Sequence, residues 1–185
     1  MELRKILVVV DMQNDFIDGP LGNEHTKAIV DKVVDKINNF KGDMLFYTMD
    51  SHSKDYNDTQ EGKNLKVPHC IYLSHGWNLN NLVATAIEYA RMRLSVVYES
   101  VKPTFGSTDL ILELATYISI KERFEIEFVG VCTGICVISN VMLVKSFFPE
   151  AIVTVDASCC ACVTPESHKT ALEAMKMCQV NIINE

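Results

Sequence analysis

The chain has 185 residues, 48% hydrophobic and 22% charged, with a formal net charge of −7 at pH 7. That acidic balance, with no Lys/Arg cluster against it, excludes a surface built for nucleic acid or an anionic membrane. No apolar run approaches the ~20 residues that cross a bilayer, and the amino terminus lacks a small-residue cleavage site, so the chain reads as cytoplasmic.

Length and hydrophobic fraction suit one domain, residues 1–185, with a sizeable core. The seven cysteines are odd in number and lie in strand-like and helix-like segments. That pattern predicts reduced thiols, most of them small buried hydrophobes.

In chain order, Lys5–Val10 (KILVVV) is an apolar run that stops at Asp11. Ile29, Val30, Val33, Val34, Ile37 and Phe40 then share one helical face. Met44–Thr48 is a second strand, and the stripe Leu79, Leu82, Val83, Ala86, Ile87 and Ala90 a second helix. Ser95–Tyr98 is the third strand, in a run ending at Lys102, and Leu110–Ile118 the third helix. Glu125–Gly130 is the fourth strand and leads through CTGI to Cys136, with a helix over Val137–Phe148. Ala151–Val155 is the fifth strand. The last helix has Thr164 as N-cap and Pro165 in its first position, and Val180–Ile183 is the sixth strand. Uniformly apolar strands alternating with helices predict an α/β fold, a doubly wound six-stranded parallel sheet with helices on both faces. Asp50–Gly76 is long, polar and aperiodic, the mark of a functional loop.

In such a sheet, ligands bind beyond the carboxyl ends of the strands. Asp11, Lys102 and Cys136 would therefore converge as proton acceptor, electrostatic support and nucleophile. Cys136 sits near the start of a helix, where the positive end of the dipole lowers a thiol pKa and exposed N–H groups can hold an oxyanion. It could equally be a buried helix cysteine, and Cys132 competes for the same role. Asp50, His52 and His69, with His75 beyond, are of the ligand types that hold Zn²⁺, Mn²⁺ or Fe²⁺ with open positions for water. The run Ser158–Cys162 has no matching second Cys pair, so it reads as packed thiols. No G-x-G-x-x-G follows the first strand, which sets aside dinucleotide binding.

Taken together, VVVDMQNDF, TMDSH, VPHC, KPTFGSTDL, GVCTGICV, DAS and TPESH resemble the isochorismatase-like cysteine hydrolase superfamily, and within it the nicotinamidase/pyrazinamidase branch. The resemblance spans nearly the whole chain. It implies a six-stranded parallel sheet, a triad of Asp11, Lys102 and Cys136, and an oxyanion hole from the N–H groups of Cys132 and Cys136. It implies a divalent ion, Zn²⁺ or else Mn²⁺ or Fe²⁺, on Asp50, His52 and His69, with Phe16 as one wall for the substrate ring. It also implies a cis peptide at Val131–Cys132 and, as partner, a small amide hydrolysed to acid and ammonia. Many relatives self-associate, so a homo-oligomer is compatible with it.

Three departures concern the pocket. Lys66 stands where an aromatic wall is usual, Gly134 where an acid is usual, and the segment after Lys102 is short. A metal-independent hydrolase of an N-carbamoyl or other small acyclic amide is the alternative. A redox domain pairing Cys132 with Cys136 is a reading of another class.

Overall fold

The structure, a computed structural model, describes residues 3–185; Met1 and Glu2 of the expected 1–185 domain lie outside the described residues. Six strands, all parallel, form one sheet: β1 (Lys5–Val10), β2 (Met44–Asp50), β3 (Val96–Lys102), β4 (Glu125–Val131), β5 (Ile152–Ala161) and β6 (Asn181–Ile183). Their order is β3-β2-β1-β4-β5-β6. The chain runs outward from β1 in one direction, then returns to β4 and runs the other way. The crevice between the ends of β1 and β4 is thus the switch point at which such sheets bind ligands.

The period-2 alternation of the strands divides the core in two. Ile6, Val8, Val10, Phe46 and Phe128 face one side, packed against α6 (Thr108–Tyr117), α7 (Ile138–Phe147) and α8 (Pro165–Met177). Leu7, Val9, Leu45 and Tyr47 face the other, against α3 (Val30–Asn39) and α5 (Asn81–Arg91). Each face buries apolar side chains worth about 1.5–3 kcal/mol apiece.

The expected elements are present, with shifted bounds. The helix expected over 29–40 is α3, preceded by α1 (Asn14–Ile17) and by the short α2 (Glu24–Ala28), the latter starting in a capping box between Asn23 and Thr26. Thr164 caps α8 with Ser167 completing the box and Pro165 in the first turn, so the N–H groups of that turn are satisfied locally. β5 runs to Ala161, six residues past the expected end, because a bulge carries it on: Phe128 pairs with Val155, but Gly130 pairs with Cys160. Within that bulge Asp156 Oδ1 accepts the N–H and the hydroxyl of Ser158. The aperiodic segment after β2 contains a 3-10 turn at Tyr56–Asp58 and α4 (Gln60–Asn64).

Candidate active site

Asp11 is the first residue past β1 and takes φ of 49°, a left-handed conformation that Asp tolerates better than most side chains. Gly130 on β4 makes the crevice possible: at φ 116° it lies so close to β1 that a Cβ would collide with the backbone of Val10. The Asp11 carboxylate is fully buried. Its Oδ1 accepts the Thr48 hydroxyl at 2.6 Å, and its Oδ2 lies 2.7 Å from Lys102 Nζ. The same ammonium is 3.8 Å from Cys136 Sγ and 3.7 Å from Asp50 Oδ1. An acid, a cation and a thiol thus share one buried pocket.

Burial raises the Asp11 carboxyl above the ordinary carboxylate range; Lys102 opposes this without cancelling it. Burial works against the Lys102 ammonium, but Asp11, Cys136 and Asp50 outweigh it and hold the lysine charged. The Cys136 thiol is pushed well up, first by burial and then by the Asp11 charge. The lowered thiol pKa expected from a helix start is therefore overturned. Cys136 lies inside a π-turn, Thr133–Val137, ahead of α7 and under protein on all sides, so desolvation outweighs the dipole. The resting group is a neutral thiol beside an acceptor of raised basicity.

The turn that carries Cys136 begins at the cis peptide Val131–Cys132. The Cys132 carbonyl accepts the N–H groups of both Ile135 and Val137. Asn140 holds the far end: its Nδ2 donates to the Cys136 carbonyl at 2.8 Å and its Oδ1 accepts from Ser107 N at 2.9 Å. Asn140 is fully buried, so its amide is committed to fixing the Cys136 backbone.

The cysteines differ from expectation in one respect. Cys132 is bonded to Cys162, with Cα atoms 4.6 Å apart, so not all thiols are reduced and the Cys132–Cys136 pair is ruled out. Cys136 is free, as are the buried Cys159 and Cys160 of the Ser158–Cys162 run.

Asp50, at the end of β2, is joined by His52 and His69 in one buried cluster whose ligand atoms all lie within 4.8 Å of one another. Asp50 Oδ2 is 3.0 Å from His52 Nε2 and 3.3 Å from His69 Nε2. Gln13 grips the Asp50 backbone from both sides, donating to its carbonyl and accepting its N–H. His69 is fixed through its neighbour: the Cys70 N–H donates to Asp15 Oδ2, and the Cys70 carbonyl accepts from His52 N. His69 Nδ1 donates to the Val67 carbonyl at 2.8 Å, which orients the ring and leaves Nε2 facing the cluster. Burial works against ionised Asp50, but the two imidazoles and Lys102 outweigh it and hold the carboxyl far below the ordinary range. One ionised carboxylate and two converging imidazole nitrogens fit a divalent metal ion. His75 is outside the cluster; its carbonyl accepts from Asn14 Nδ2.

Sequence reasoning missed several neighbours. Glu61 on α4 brings Oε1 to 3.7 Å from His52 Nε2 and 3.6 Å from His69 Nε2. The Tyr56 ring packs edge-on against both imidazoles, and burial with the Glu61 and Asp50 charges pushes its hydroxyl up to about 12. Both lie in a segment with no periodicity to read. Phe16, half-buried, tilts against His69 at 5.4 Å, and Lys66 is exposed. Beyond the cluster a cavity of about 990 Å³ opens between Leu65, Pro103, Phe105 and Ile135.

With this geometry in hand, comparison with known proteins decides the family. The sequence profile of the isochorismatase domain matches residues 5–184. The chain belongs to the isochorismatase family. Among solved structures, this isochorismatase-family protein is similar to the nicotinamidase/pyrazinamidase of Bacillus subtilis at 26% identity and a TM-score of 0.83, over 98% of this chain and 100% of that one. The nicotinamidase of Staphylococcus aureus is 25% identical with a TM-score of 0.75, covering 99% and 100% of the two chains. A pyrazinamidase of Pyrococcus horikoshii, solved in complex with zinc, shares the fold at 22% identity and a TM-score of 0.74, over 98% and 99%. A search of curated proteins found no match. Among the described residues no helix is long and apolar enough to cross a membrane.

Proposed function

We propose that this isochorismatase-family chain is a nicotinamidase-like amidohydrolase that cleaves a small ring amide to acid and ammonia in the cytoplasm, as one domain over residues 1–185. The observation that carries the reading is the buried contact of Lys102 Nζ with both Asp11 and Cys136, beside the Asp50–His52–His69 cluster.

In this reading the chemistry proceeds by proton relay. Asp11 takes the Cys136 proton as the sulfur attacks the amide carbon, and Lys102 balances the charge that moves. The N–H groups of Cys132 and Cys136 hold the oxyanion. Asp11 returns the proton to the departing ammonia, leaving a Cys136 thioester. Asp11 then takes a proton from water as that water attacks the thioester, and the thiol is restored as the acid leaves. The raised pKa of Asp11 suits this exchange, since a base that must also act as an acid works best near the operating pH. Asp50, His52 and His69 would hold a divalent ion, Zn²⁺ by donor type, which acts as a Lewis acid that orients the substrate's ring nitrogen. Phe16 walls the ring.

The metal-independent alternative leaves two buried histidines around one carboxylate without a purpose, so the cluster favours the metal-assisted reading. Lys66, where an aromatic wall is usual, is exposed, so Phe16 is the one aromatic wall named for the ring and the test extends beyond nicotinamide. The test is ammonia release from nicotinamide and a panel of small amides by metal-loaded protein and by Cys136→Ala. Release that Cys136→Ala abolishes supports the reading; no release from any amide refutes it.

A further inference from the structure

The turn that carries Cys136 is tied from outside to the segment joining β5 to α8. One tie is the disulfide between Cys132 and Cys162, which closes a span of 30 residues. The other is the hydrogen bond between Thr133 Oγ1 and His168 Nδ1, at 2.8 Å. Neither tie enters the reaction steps above, yet both end on residues within four positions of the nucleophile. The disulfide ends on Cys132, the residue whose N–H the proposed chemistry assigns to the oxyanion.

The bridge is placed to be opened. Cys132 is half-buried, whereas Cys162 is only 3% exposed, so Cys132 is the more accessible end of the bridge. Opening would not unravel the turn, because the N–H groups of Ile135 and Val137 still close on the Cys132 carbonyl and Asn140 still holds Cys136. What opening releases is the Cys132 side chain, and with it the outside hold on the side of Cys132 that carries its N–H.

We propose that Cys132–Cys162 is a redox-operated positioning tie: oxidised, it fixes the oxyanion end of the turn, and opened by a dithiol it slackens the site. The inference rests on the reading of Cys136 as nucleophile and of Cys132 N–H as an oxyanion donor. In the opening step a dithiol's thiolate attacks Cys132 Sγ and Cys162 leaves as thiolate, then takes a proton. The second thiol closes on the mixed disulfide, so two electrons pass from the dithiol, which ends as a cyclic disulfide, and Cys132 ends as a thiol. Losing an oxyanion donor outright costs roughly 10²–10³ in kcat. A displaced donor costs part of that, about tenfold, with KM for the amide within about twofold because ground-state contacts are untouched.

The test uses the full metal-loaded chain in three measurements. Thiol titration in denaturant should count the five free cysteines before dithiothreitol and all seven after it. The rate on nicotinamide should fall about tenfold in kcat on reduction and recover on reoxidation with oxidised glutathione. Cys162→Ala should show the lowered kcat from the start and no response to dithiothreitol, which also controls for loss of metal to the dithiol. Alkylation of Cys136 by iodoacetamide, read by peptide mass, should change rate on reduction in wild type and not in Cys162→Ala; it needs no substrate. Seven titratable thiols even after oxidised glutathione would overturn the inference. So would an opened bridge with kcat and alkylation rate unchanged, or an equal response in Cys162→Ala. If no amide is cleaved the functional reading fails, and the alkylation rates alone then decide whether the tie acts on Cys136.

Discussion

Thr48→Val removes one hydroxyl that the proposed chemistry depends on; the Asp11 N–H, which shares that hydroxyl, keeps the Thr48 carbonyl as acceptor at 3.2 Å. Thr48 is fully buried, and its hydroxyl donates to Asp11 Oδ1 at 2.6 Å, while valine keeps the shape. A hydrogen bond to a charged group contributes about 1.5–3 kcal/mol, and here it favours the carboxylate over the neutral acid. The sign follows: this bond lowers the Asp11 pKa against a burial effect that already raises it, so its loss raises the pKa further. At 1.36 kcal/mol per decade, the ratio of ionised to neutral Asp11 falls by roughly ten- to a hundredfold. Only ionised Asp11 can take the Cys136 proton, so kcat/KM on the acid side falls by the same factor and the acid limb moves toward neutral pH. Well above that limb the variant approaches wild type. The assay is ammonia release from nicotinamide across the pH range, with thermal unfolding to show that the fold is intact. An acid limb that overlays that of wild type would refute the role given to Asp11.

Four further outcomes are expected. Cys136→Ala releases no ammonia from any amide yet binds metal with unchanged stoichiometry, measured by elemental analysis. Stripping the metal with a chelator lowers the melting temperature, since an ion at a thousand times its Kd adds about 4 kcal/mol; His52→Ala shows no such response in the same scan. Phe16→Ala raises KM for ring amides about tenfold and leaves acyclic amides unchanged, read from steady-state kinetics, because an aromatic wall contributes mainly contact area. Lys36→Met costs about 1–3 kcal/mol at neutral pH by denaturant unfolding, because Asp156 loses a partner at 2.7 Å while remaining buried. Burial raises Asp156, but Lys36, Ser158 and Asn184 outweigh it and hold its folded pKa below the ordinary value. The stabilisation is therefore present above the unfolded carboxylate pKa and fades as pH falls through the folded one, so variant and wild type converge in acid.

Much of this molecule is legible in its sequence because the information is local. A run such as KILVVV announces a strand buried on both faces, and Thr164 with Pro165 announces a helix start, without reference to anything distant. Asp11, Lys102 and Cys136 stand out by position, since the first two end apolar runs and the third follows one through CTGI. Thr48 and Asn140 do not, although each is the polar residue in or beside an apolar segment; their partners lie 37 and 33 positions away. Glu61 and Tyr56 sit in a stretch whose fold is set by the histidines it wraps. The Cys132–Cys162 bond was hidden for a different reason. Its pairing depends on the β5 bulge that carries Cys162 up beside the nucleophile turn, and a bulge leaves no periodic trace.

The charge arrangement at the centre follows from strand register. β2 and β3 pair so that Asp50 lies opposite Lys102, and β1 pairs with β2 so that Val10 lies opposite Thr48. Asp11 is the next residue after Val10, so the ammonium reaches both carboxylates from one position. Slipping β3 by one residue would turn Lys102 to the other face and present Val101, leaving two buried carboxylates and no cation. Breaking a buried pair in that way costs about 3–5 kcal/mol, so the electrostatics of the site also select the register of the sheet. Burial first, and then the Asp11 charge, keep the Cys136 thiol protonated. A buried, protonated thiol resists stray oxidation and alkylation. In the proposed chemistry it becomes a nucleophile when a bound carbonyl takes up the sulfur's electrons as Asp11 takes its proton. In that chemistry the burial that keeps the thiol protonated restricts the reactivity of Cys136 to the moment a substrate is present.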